Sequence, residues 1–90
     1  MFKEGLRELD QIFAYNLQQK LKDQIYGKVY VKVIDDGIYI SVTCYSDIRF
    51  ETTISNFFEK ILNGYTTDYA CYEVMRQYRN FVMEKYFKWF

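Results

Sequence analysis

The side chains in this sequence that could do chemistry are twelve acidic and twelve basic groups, ten tyrosines and two cysteines, with no histidine among them. That removes the commonest general base, the commonest metal ligand and any Ser-His or Cys-His nucleophile pair. Cys44 and Cys71 show no C-x-x-C spacing and have no further nitrogen or sulfur ligands with which to build a structural zinc site. They read as small buried hydrophobes, with a disulfide as the alternative. Gly5, Gly27, Gly37 and Gly64 lie too far apart to form a phosphate-cradling loop. Two carboxylate pairs are available for acid–base work. Asp35/Asp36 reads as a turn, and Glu4/Glu8 places like charges one helical turn apart on a solvated face. The expectation is a protein that is not an enzyme, with no catalytic or metal-ligating residues, no cofactor and no small-molecule substrate.

The chain of 90 residues fits one domain, 1–90, of a size that buries only about 60–65% of its extended-chain surface. Half the residues are apolar and 21% are aromatic, so composition favours a packed core over disorder. No apolar run reaches the roughly 18 residues of a membrane span, and Met1-Phe2-Lys3-Glu4 does not begin a signal peptide. These features predict a soluble protein without a membrane partner, in the cytoplasm of its host cell.

Phe2, Leu6, Leu9, Phe13, Leu17, Leu21 and Ile25 recur at steps of three and four, which predicts a helix over about 4–24 that stops near Gly27. The period then becomes two. Val29, Val31 and Val33 form one strand; Ile38, Ile40, Val42 and Cys44 form a second; Ile48, Phe50, Thr52 and Ile54 form a third. With Asp36-Gly37 as a two-residue hairpin loop, Val33 would face Ile40, Val31 would face Val42 and Val29 would face Cys44. A three-residue connection, Tyr45-Ser46-Asp47, sets Cys44 opposite Ile48 and Val42 opposite Phe50. Phe57, Phe58, Ile61 and Leu62 predict a short helix ended by Asn63-Gly64. Cys71, Val74, Met75, Tyr78, Phe81, Val82, Tyr86 and Trp89 predict a long one, capped by a threonine or Asp68. The expected fold is α+β, in the order α-β-β-β-α-α, with a three-stranded antiparallel sheet and helices packed on one face.

Three surfaces of this fold are candidates for binding. Lys28, Tyr30, Lys32, Ile34, Tyr39 and Tyr45 project together from the open face of the hairpin. Aromatics interleaved with lysines suit single-stranded nucleic acid, since any base stacks on a ring. Tyrosines also stabilise a half-exposed sheet by cross-strand contact, and a formal net charge of zero lacks the basic excess that phosphate binding calls for. Asp35, Asp36, Asp47, Glu51 and Glu59 stand against Arg49 alone over residues 35–59, an acidic stretch that could occupy a basic surface made for nucleic acid. Turn formation and solvated strand positions account for the same residues. At the C-terminus, Met83, Tyr86, Phe87, Trp89 and Phe90 are apolar on more than one helical face, in residue types enriched at interface cores. They would serve a protein partner, a seam between two copies of the chain, or closure of its own core.

The stretch Ile54-Ser55-Asn56-Phe57-Phe58-Glu59-Lys60-Ile61-Leu62-Asn63-Gly64-Tyr65, continuing through Tyr69, Cys71, Tyr72, Met75 and Tyr78, resembles small proteins of phages and mobile elements in Gram-positive bacteria. The element order is also similar to that of some anti-CRISPR proteins that block type II effector nucleases. That resemblance implies an inhibitor whose acidic side chains fill the cleft that reads the protospacer-adjacent motif, with Asp35, Asp36, Asp47 and Glu51 as the matching residues. Such mimics are strongly acidic and this chain is neutral. The implied variant is one that covers a nuclease domain through aromatic contacts.

Overall fold

A long amphipathic helix, α1 (Phe2–Gln24), opens the chain in a computed structural model that describes residues 2–35, 37–44 and 48–86. Phe13, Leu17 and Leu21 recur every four residues and are buried with Ala14, while polar side chains, with Ile12 and Tyr15 exposed among them, occupy the other faces. Ile25 extends the stripe just past the last helical residue, and its N–H donates to Leu21 O at 2.9 Å. Leu9 continues the same stripe but is 59% exposed. Phe13 is the level at which Phe57 and Tyr65 pack on α1. One turn further out, about 6 Å beyond it at ~1.5 Å per residue, Leu9 has passed the edge of the core.

Three antiparallel strands follow, β1 (Lys28–Ile34), β2 (Gly37–Cys44) and β3 (Ile48–Ser55), in the order β1-β2-β3. The β2–β3 register agrees with the sequence expectation: Cys44 pairs with Ile48 and Val42 with Phe50. The β1–β2 register differs from it by two residues. Ile34 pairs with Gly37, Val33 meets Ile38, Val31 meets Ile40 and Val29 meets Val42. A shift of two keeps every side chain on its face, so apolar residues still oppose apolar residues. Gly37 is thus a strand residue, and its lack of a side chain serves a close approach: a Cβ there would lie 2.7 Å from Ile54 O. Gly27 likewise is not the helix stop. It lies beyond the end of α1, where a Cβ would meet Thr43 O at 2.6 Å.

Asn56, in the left-handed region at φ 53°, turns the chain from β3 into α2 (Phe57–Leu62). Gly64, at φ 88°, follows α2 with the backbone conformation that glycine adopts without strain. Thr66 then caps α3 (Thr67–Tyr86), its Oγ1 accepting from Tyr69 N–H at 3.2 Å. The helices lie on one face of the sheet. α1 packs along β1 and α3, while Tyr78 and Phe81 of α3 close on Phe50 of β3 at ring separations of 5.7 and 5.4 Å. Between these layers Leu17, Leu21, Ile38, Ile40, Val42 and Val74 are fully buried with Phe57. Each such side chain contributes about 1.5–3 kcal/mol of hydrophobic stabilisation relative to exposure. Cys44 and Cys71 are buried as free thiols. Burial raises the pKa of Cys71, against a hydrogen bond from Gln24 Nε2 at 3.2 Å. Among the described residues no helix is long and apolar enough to cross a membrane.

Candidate functional site

The face of the sheet turned away from the helices carries four cross-strand rows, the one nearest the first hairpin made by Ile34, Gly37 and Ser55. Lys28, Thr43 and Arg49 form the first; Tyr30, Ser41 and Glu51 the second; Lys32, Tyr39 and Thr53 the third. Lys28, Tyr30, Lys32 and Tyr39 therefore share one surface, as alternation predicts, with Tyr30 55% exposed. Tyr45 lies outside the described residues. The structure adds Arg49, whose Nε donates to Ser41 Oγ at 3.0 Å and lies 3.1 Å from Glu51 Oε1. Ser41 sits in the centre of the face, buried beneath these longer neighbours.

Of the four acidic candidates the described residues include Asp35 and Glu51, and these two are not brought together. Asp35 follows the end of β1 at the hairpin, whereas Glu51 stands in the second row. Four residue steps of β3 separate Glu51 from Ser55, the β3 residue paired nearest that hairpin, which is about 13 Å of strand. Glu51 is moreover paired with Arg49 on the lysine- and tyrosine-bearing face. Asp36 and Asp47 lie outside the described residues. So do Phe87, Trp89, Phe90 and the side chain of Tyr86.

A further surface lies at the α2–α3 connection. A groove of about 530 Å³ is lined by Asn56, Glu59, Lys60, Tyr65, Thr66 and Tyr69, among others. Its aromatic wall is tied to the core by a chain of ring contacts. Phe57 meets Phe13 edge-on at 4.7 Å, Phe13 stacks on Tyr65 at 5.9 Å, and Tyr65 meets Tyr69 edge-on at 5.7 Å. Tyr72 follows at 6.4 Å, beyond the groove, where it lines a cleft with Lys20, Gln24 and Asp68. The chain thus runs from a buried ring to two exposed ones, Tyr69 at 55% and Tyr72 at 61%. Lys60 Nζ lies 5.8 Å from the Tyr65 ring centre, within cation–π range. The Tyr65 hydroxyl is buried and has no hydrogen-bond partner among the described residues. Burial, with smaller contributions from Glu73 and Tyr69, pushes its pKa up to about 12.

Sequence reasoning missed this surface because the periodic stripe through Cys71, Val74 and Met75 marks only the core face of α3. Tyr69 and Tyr72, aromatic but off that stripe, were the available signal. The groove sets the Tyr65 and Tyr69 rings among the polar side chains of Asn56, Glu59, Lys60 and Thr66. Among the described residues no group of three or more cysteines and carboxylates is arranged to hold a metal ion. No protein-family model matches the chain, and neither a curated protein nor a solved structure is significantly similar to it.

Proposed function

We propose that this chain is a non-catalytic protein-interaction module of phage or mobile-element type, and most concretely an inhibitor that binds a host CRISPR or other defence nuclease directly. The observation that supports this reading is the Tyr65–Tyr69–Tyr72 wall beside the α2–α3 groove. Aromatic side chains fixed before binding lose little rotamer freedom on contact, and tyrosines on a pocket rim are the type that dominates interface energetics. The exposed rings here are held by contacts that reach back to Phe13 and Phe57. The resemblance of residues 54–78 to mobile-element proteins favours the same class. Co-elution with a purified type II effector nuclease, together with protection of a targeted plasmid from cleavage, tests the concrete version. Binding and protection, both lost in a Tyr69→Ala/Tyr72→Ala double variant of unchanged circular dichroism, is the expected result. Free elution with undiminished cleavage argues against that target.

The second reading is single-stranded nucleic-acid binding by the open sheet face. It is supported by the placement of Lys28, Tyr30, Lys32, Tyr39 and Arg49 on one uncovered surface. It predicts affinity that falls steeply with salt and is lost in Tyr30→Ala/Tyr39→Ala. Retained affinity in that variant removes it.

A further inference from the structure

The two edges of the sheet are treated differently. α1 lies along β1, and Gln18 Oε1 accepts the outward-pointing Val31 N–H at 3.1 Å, so the chain's own helix meets that edge at its middle. On β3, the carbonyls of Ile48 and Ile54 point towards β2. The first accepts from Cys44 Sγ at 3.7 Å, and the second lies 2.7 Å from where a Gly37 Cβ would stand. Antiparallel alternation then turns the N–H and C=O groups of Arg49, Glu51, Thr53 and Ser55 the other way, to the free edge. Among the described residues nothing caps these groups. An eight-residue edge strand with open backbone groups is a template for another strand.

We infer that residues 48–52 on the β3 edge pair with the same residues of a second copy of this chain, antiparallel about a two-fold axis at Phe50, to make a continuous six-stranded sheet. Charge selects both occupant and register. Only the odd-numbered residues offer backbone groups outward, so few two-fold registers are open. An axis at Glu51 sets Glu51 against Glu51 of the second copy. An axis at Thr52 leaves Arg49 opposite Ser55 and Glu51 opposite Thr53. The axis at Phe50 alone sets Arg49 opposite Glu51 of the second copy and Glu51 opposite its Arg49. The Arg49–Glu51 pair seen within one strand becomes a four-residue square of alternating charge on the open face. This seam is separate from the α2–α3 groove, and its test uses purified chain alone, so it stands or fails independently of the proposed function.

The test is mass by light scattering and sedimentation across a concentration series, for the wild type, Arg49→Glu, Glu51→Arg and the double reversal Arg49→Glu/Glu51→Arg. Circular dichroism checks that each variant is folded. The wild type is expected to rise from 11.0 kDa towards twice that mass. Each single reversal sets like charges opposite one another at both symmetric positions and weakens association about tenfold. The double reversal restores it, and so does an equimolar mixture of the two single reversals, in which each chain lacks the intrachain Arg49–Glu51 pair but meets opposite charges across the seam. A constant monomer mass up to the solubility limit overturns the inference. So does self-association indifferent to all three variants, which would place the seam elsewhere. A lone monomer whose β3 amides become protected from exchange only when a different protein is added overturns it as well, and assigns the edge to that protein.

Discussion

Gln18 on α1 holds the Val31 N–H of β1 at 3.1 Å and thereby ties the middle of one sheet edge to the helix that packs along it. The contact links two elements that the chain forms separately, a 3.6-period helix and a period-two strand, and it helps fix how α1 lies along β1. Replacing Gln18 with leucine keeps the bulk but leaves a part-buried donor unsatisfied. The expected cost is about 1–2 kcal/mol, and at about 4–8 °C of Tm per kcal/mol for a domain this size it is measurable by calorimetry. Hydrogen exchange at the Val31 amide should accelerate in the same variant. Unchanged exchange there would show that the amide is protected by something other than Gln18.

Tyr65 holds its hydroxyl buried without a partner, and Tyr65→Phe removes that oxygen while keeping the ring stacked on Phe13. The variant is expected to be more stable by about 1 kcal/mol at neutral pH. The pH dependence has a definite sign. The phenol pKa is raised from 10.0 to about 12, so the folded state favours the neutral hydroxyl. That contribution to stability is fully present below pH 10 and is lost as the pH rises through 12. The stability gap between Tyr65→Phe and the wild type should therefore widen between pH 10 and 12 in denaturant titrations. An absorbance titration of the native variant should lack the latest phenol.

The stripe of α1 leaves the core between Phe13 and Leu9, which makes two leucines on one helix face unequal. Leu17 is fully buried, and Leu17→Ala should cost about 2–5 kcal/mol. Leu9 is exposed, and Leu9→Ala should fall within about 0.5 kcal/mol of the wild type. Chemical denaturation of the two variants side by side separates them. A large loss for Leu9→Ala would mean that something covers this turn in solution.

Much of the fold was legible because binary pattern decides it. Val42 opposite Phe50 and Cys44 opposite Ile48 follow from alternation plus a three-residue connection. The first hairpin was not legible to the residue, since a two-residue shift preserves both faces. The clearance that Gly37 provides for Ile54 O belongs to β3, far along the chain. The same logic divides the candidate surfaces. Lys28, Tyr30, Lys32 and Tyr39 could be placed together because alternation assigns a face. Glu51 could not be separated from Asp35 by proximity in sequence, because only the sheet register shows it beside Arg49. The α2–α3 groove depends on Phe13 reaching Tyr65 across the fold, a contact that no local pattern encodes.

The central claim is that the Tyr69–Tyr72 wall engages a protein, and the most direct measurement is a tagged capture from host lysate, treated with nuclease, run in parallel for the wild type and Tyr69→Ala/Tyr72→Ala. The expected result is a captured protein that survives nuclease treatment with the wild type and is lost with the variant, while both chains keep the same melting behaviour. Capture that persists in the variant, or that disappears with the wild type once nucleic acid is digested, would contradict it.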